Sequence, residues 1–114
     1  MATIKINRGT TFTIGVNYQR NGVAATLVGA TVYFTAKTAE FTTDATDADA
    51  SVKKDVTNGT ALGEATITLN PADTISLLPG KYFYDIKVKE AGGSIFKIDE
   101  GTIKLDGSPT NRLV

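Results

Sequence analysis

The side chains that most often do chemistry are missing from this sequence. It has no histidine, no cysteine and no tryptophan, so the commonest general base, the strongest nucleophile and the thiolate metal ligands are all unavailable. A pair of carboxylates can still hydrolyse a glycoside, but the closest such pair, Asp99 and Glu100, are neighbours in a strand-like run and project to opposite faces. Neither GxxxxGK[ST] nor GxGxxG occurs. The inventory argues against an enzyme and names no catalytic or cofactor-binding residue. The only acidic cluster, Asp44, Asp47 and Asp49, is the one place where calcium would find oxygens. The EF-hand spacing fails there, because Asp49 stands where glycine is needed and Asp55 where glutamate is needed. A solvated loop is the better reading, and no metal ligand is assigned.

Aromatic side chains are therefore the remaining source of specific recognition. Most sit in strand-like runs, and their parity sorts them. In KYFYDIKVK, Tyr82, Tyr84, Ile86 and Val88 share a face, whereas Phe83 lies opposite. In TVYFTAK, Val32, Phe34 and Ala36 share a face and Tyr33 lies opposite. The apolar faces belong in a core. This leaves Tyr33 and Phe83 as candidate contact residues on the wet faces, with Phe41 as a third in a loop. Arg8 and the terminal Arg112, Leu113 and Val114 complete the candidate interface.

The elements that hold these residues read as strands. Eighteen threonines favour extended backbone through their branched β-carbons. TFTIGVNY and EATITL alternate as cleanly as the two runs above, and four half-apolar strands imply antiparallel sheets. TIKIN is a short leading strand, and SVKKDVT an edge strand guarded by lysines. Along 94–105, apolar residues fall on even positions (Phe96, Ile98) and then odd ones (Ile103, Leu105). That change of parity needs a bulge or break, expected at Glu100-Gly101. Asn21-Gly22 and Gly92-Gly93 suit hairpins, and Asn58-Gly59 marks another turn. The one helical signal is NPAD: Asn70 as cap, Pro71 in the first turn and Asp73 at its positive end.

About seven short strands with one helical turn predict an all-β fold, an immunoglobulin-like antiparallel β-sandwich, with a small closed barrel as the alternative. The 114 residues suit a single domain over 1–114, with a long flexible loop at 39–50 and a tail at 106–114. A tyrosine just after the helical turn, near the start of a sandwich strand, can form a tyrosine corner, its hydroxyl bonding back to the turn's backbone. Twelve basic and twelve acidic residues cancel, so nothing in the net charge draws the chain to nucleic acid or to a membrane surface. No apolar run reaches the roughly 18 residues of a membrane helix.

The order of pieces is also familiar. RGTTF (8–12), LVGATVYFTAK (27–37), GEATITLNPADTISLLPGKYFYDIKV (63–88) and EGTIKL (100–105) together resemble the immunoglobulin-like N-terminal domain of phage baseplate upper proteins and related small virion domains. Thr10 departs from the acidic residue of that pattern's RGD start. The resemblance implies a virion structural protein made in the bacterial host cytoplasm: a tail, baseplate, neck or capsid-decoration subunit. It would be present in several copies, dock onto other virion proteins and need no cofactor. A carbohydrate- or host-surface-binding module on the same fold is the alternative.

Overall fold

The computed structural model describes residues 2–40, 42–107, 109, 110 and 112. Among them nine strands form two facing sheets and a small hairpin. The larger sheet contains β1 (Ala2–Asn7), β5 (Thr31–Lys37), β6 (Val52–Val56), β8 (Gly80–Lys89) and β9 (Ile95–Asp106), in the order β1-β9-β8-β5-β6. The smaller sheet pairs only β2 (Phe12–Asn17) with β7 (Glu64–Leu69). The two-residue strands β3 (Gln19–Arg20) and β4 (Val23–Ala24) make the hairpin, with Asn21 and Gly22 both at positive φ as its two-residue turn demands. The two sheets are separate, so the molecule is an immunoglobulin-like sandwich and not a closed barrel. The count exceeds seven because this minimal hairpin is too short to show any alternation.

Alternation decides which face each strand buries. Val32, Phe34 and Ala36 of β5 face Tyr82, Tyr84, Ile86 and Val88 of β8 across the larger sheet's inner surface, and Ile67 and Leu69 of β7 close the core from the other side. Phe34 and Tyr84 stack, with ring centroids 5.8 Å apart, a contact worth about 1 kcal/mol beyond the area it buries. The Tyr84 hydroxyl donates to Asp99 at 3.2 Å. Burial first, then the charge of Asp99 and this bond, push its pKa up to about 12, so the phenol stays protonated.

The segment between β7 and β8 crosses from one sheet to the other. It begins with α1 (Pro71–Thr74), where the Asp73 carboxylate accepts from the Asn70 backbone N–H at 2.6 Å and meets the Lys54 ammonium at 2.9 Å. It ends with the Tyr82 hydroxyl donating to the Leu78 carbonyl at 2.6 Å. This is the tyrosine corner, and Tyr82 forms it.

The bulge in β9 corrects the expected position. Ile86 pairs with Asp99 and Lys87 with Lys97, leaving Ile98 as the extra residue. Gly101, by contrast, is in register opposite Tyr84. The parity change is absorbed before Asp99, which puts that carboxylate on the face where the Tyr84 hydroxyl needs an acceptor.

Candidate docking groove on the outer sheet face

The wet face of the larger sheet is an ordered grid. Tyr33, Thr35 and Lys37 of β5 stand beside Lys87, Asp85 and Phe83 of β8, while Asp55 and Lys53 of β6 flank Tyr33 and Thr35. Side chains on one face of neighbouring strands lie about 5 Å apart, so the two rings sit diagonally around Thr35 and Asp85. Loop residues 39, 40, 42 and 45–47 rise beside this floor and turn it into an open groove of about 940 Å³. Tyr33, Phe83 and Asp85 are all half-buried. Burial holds the Asp85 carboxyl above its ordinary value, against the opposing pull of Lys87 and Lys97. Lys97 itself is paired with Glu100 at 2.8 Å, and the Lys81 ammonium lies 5.0 Å from the Phe83 ring centroid.

The groove wall is held by one lysine. The Lys37 ammonium, on a side chain only 14% exposed, meets Asp47 at 3.0 Å and Asp49 at 2.9 Å and donates to Thr42. Two carboxylates thus raise the Lys37 pKa, and the same ammonium lowers that of Asp49. Asp44 is committed elsewhere: its carboxylate accepts from the Thr46 N–H and hydroxyl, both at 2.9 Å, and those bonds lower its pKa. Lys53 donates to the Thr46 carbonyl at 3.2 Å. The acidic cluster therefore has an internal cation, the Lys37 ammonium, at its centre. Among the described residues no group of three or more acidic, histidine or cysteine side chains is placed to hold a metal ion.

The candidate contacts separate accordingly. Tyr33 and Phe83 both line the groove, at opposite corners of the grid. Arg8 does not join them: its guanidinium donates to the Ile75 carbonyl, and the neighbouring Gly9 N–H donates to the Thr74 hydroxyl at 2.9 Å. Both contacts tie the β1–β2 turn to the helical corner. Arg112 is exposed and is not among the residues that line the groove. Phe41, Leu113 and Val114 lie outside the described residues. Asp85, Lys53 and Lys87 were not singled out from the sequence, although their parity with Tyr33 and Phe83 places them on the same wet face.

A second polar cluster sits at the end of the sandwich near the β8–β9 turn. The Tyr18 hydroxyl donates to Glu90 at 2.6 Å, the Arg20 guanidinium meets the same carboxylate at 3.4 Å, and Arg20 lies 4.7 Å from the Phe96 ring centroid. Burial and then Glu90 raise the Tyr18 pKa. Gly63 closes this end. A β-carbon there would stand 2.4 Å from the Tyr18 carbonyl and 2.7 Å from that of Ala25, at a φ of +79°, so only glycine fits. The Tyr18 cluster anchors a hairpin to the β8–β9 turn.

Comparison with known proteins adds little beyond architecture. No family model matches the chain, and no curated protein does so. Solved structures that are similar include a VGSC beta subunit studied for multimeric cell-adhesive interactions (13% identity, 96% of this chain and 93% of that one, TM-score 0.41). The extracellular domain of the voltage-gated sodium channel beta4 subunit, a parallel homodimer, aligns at 12% identity over 93% and 89%, with TM-score 0.36. AggA, the major subunit of aggregative adherence fimbriae type I from Escherichia coli, aligns at 18% over 95% and 91%, with TM-score 0.33. These values describe a distant likeness of fold and carry nothing about partners.

Proposed function

We propose that the chain is a non-enzymatic structural subunit of a bacteriophage particle, of the tail, baseplate, neck or capsid-decoration kind, that works by docking in several copies onto other virion proteins. The observation that supports docking is the groove floor, where two half-buried rings, Tyr33 and Phe83, flank Asp85 within a frame of lysines and acids. Aromatic anchors inside a polar rim are the usual composition of a protein interface. The virion assignment rests on the pattern of strands and turns that resembles the phage baseplate upper domain. Symmetric assemblies multiply modest contacts, so one groove of this size suffices when many copies engage together.

Mass spectrometry of purified phage particles from the bacterium that carries the gene tests the assignment. The chain is expected among the particle proteins at several copies, and its absence overturns the reading. Replacing Phe83 by alanine is expected to remove it from the particle while leaving its melting temperature within a few degrees, because the ring is outside the core. Incorporation at the wild-type level would move the contact away from the groove.

A carbohydrate-binding module is the second reading, favoured by the same two rings, since aromatic faces offer apolar surface beside polar groups. Binding of a glycan that is lost in Phe83→Ala would favour it over protein docking.

A further inference from the structure

The smaller sheet has two outer edges, and only one of them is capped, at two of its three outward positions. On β7, the Asn58 side chain takes both backbone groups of Thr66: its amide donates to the Thr66 carbonyl at 2.9 Å and its oxygen accepts from the Thr66 N–H at 3.3 Å. Glu64 is covered in the same way, its carbonyl accepting from the Thr60 N–H at 2.9 Å and its N–H reaching the Thr60 hydroxyl at 3.3 Å. These contacts also fix the direction of the backbone groups on β2. Thr66 pairs with Gly15, and since Thr66 turns its N–H and C=O away from β2, Gly15 turns its own away from β7. The Tyr18 N–H bond to the Gly63 carbonyl at 2.7 Å agrees, placing the even residues in the ladder. Thr13, Gly15 and Asn17 therefore present three N–H and C=O pairs outward, and among the described residues no strand lies beyond them.

Three features distinguish this edge from the others. The strand FTIGVN has no charge, no proline and no bulge, whereas the edge strand β6 carries Lys53, Lys54 and Asp55 and β1 carries Lys5. Those charges are what normally keep a sheet edge from pairing. The wet face above the edge is open as well, with nothing within 4 Å of a β-carbon built on Gly15. The inward side chains Phe12 and Ile14 of β2, and Ile4 of the edge strand β1 in the facing sheet, are packed against the core yet only partly covered. The first two are the inward neighbours of the free backbone groups.

From this edge we infer that β2 is an acceptor for an extended segment of another protein chain, added antiparallel as a third strand of the smaller sheet. The occupant's chemistry follows from the edge: alternating apolar side chains to cover Phe12, Ile14 and Ile4, with small polar ones between them and no charge facing the strand. Main-chain hydrogen bonds supply affinity in such additions and the alternate side chains supply selection. The inference goes beyond the groove and does not depend on it, because the two surfaces lie on different sheets.

The end-capped pentapeptide ATITL, which repeats residues 65–69 that β2 already accepts on its other edge, is a suitable probe. Titrated into the intact, isotope-labelled chain, it is expected to give saturable NMR shifts and slowed exchange at the amides of Thr13, Gly15 and Asn17. A scrambled peptide of the same composition should give neither. Gly15→Pro removes an outward N–H that is not part of the ladder to β7, a place where an edge strand tolerates proline, and should weaken binding about tenfold or more. Thr13→Pro serves the same purpose if the first variant misfolds. Phe83→Ala should leave peptide binding unchanged, which separates this inference from the docking groove. No saturable shift at millimolar peptide, shifts centred on Tyr33 and Phe83, or equal binding to a folded proline variant would each overturn it.

Discussion

The two flanks of the sandwich show the same problem handled in opposite ways. Where β6 and β7 approach each other, one asparagine side chain closes the edge by imitating a strand's backbone. On the other flank, the turn between β1 and β2 is tied down by Arg8 and Gly9, but β2 beyond it keeps three outward backbone pairs. A sheet of two strands facing one of five leaves edges that either the chain itself or a partner must satisfy. The difference separates a flank that the chain itself caps at Glu64 and Thr66 from one that it leaves open.

The largest effect should fall on what both flanks share. Tyr84→Ala removes a ring that is 4% exposed and stacked on Phe34, and is expected to cost about 3–5 kcal/mol. Denaturant unfolding measures this, and both flanks should lose protection together; a loss below about 1 kcal/mol would mean the ring is peripheral. Asn58→Ala should come next, at about 1–2 kcal/mol for two lost hydrogen bonds. Its signature is local: the Thr66 amide should exchange faster while Gly15 is unchanged. A closed flank that stays closed without Asn58 would break the comparison.

The smallest expected effect concerns the groove wall. The Asp49 pKa is lowered by Lys37, so the contribution of this pair is present above the ordinary aspartate range, near 4, and fades as pH falls through the lower folded value. The Lys37 pKa is raised, so its side of the contact persists through neutral pH and is lost only above the usual lysine range. Protection factors of the amides at residues 42–49, each taken against the intrinsic exchange rate at the same pH, should fall between pH 5 and pH 3 with little change at β2 and β7. Equal protection factors at both pH values would show that the lysine does not hold the loop.

Much of the fold was legible because alternation is a local signal. Phe12 to Tyr18, Val32 to Ala36 and Tyr82 to Val88 announce their own faces, and NPAD with the tyrosine after it announces a corner. The bulge was displaced because parity only brackets it between Ile98 and Ile103; the pairing of Ile86 with Asp99 decides the position, and that pairing is with another strand. Tyr33 and Phe83 were legible as outward residues, but not the groove, whose wall depends on Lys37 reaching Asp47 and Asp49 across a loop. Arg8 read as a surface contact because its acceptor, the Ile75 carbonyl, lies 67 residues away. Asn58 read as a turn residue, since nothing local shows that its side chain would stand in for a strand eight residues on.

Hydrogen exchange of the backbone amides of Thr66 and Gly15 in the native chain tests the contrast between the flanks most directly. The two residues face each other across one sheet and differ only in what lies beyond them. The account predicts strong protection at Thr66 and exchange close to that of an open amide at Thr13, Gly15 and Asn17. Equal protection on both edges would contradict it, because β2 would then already have a partner.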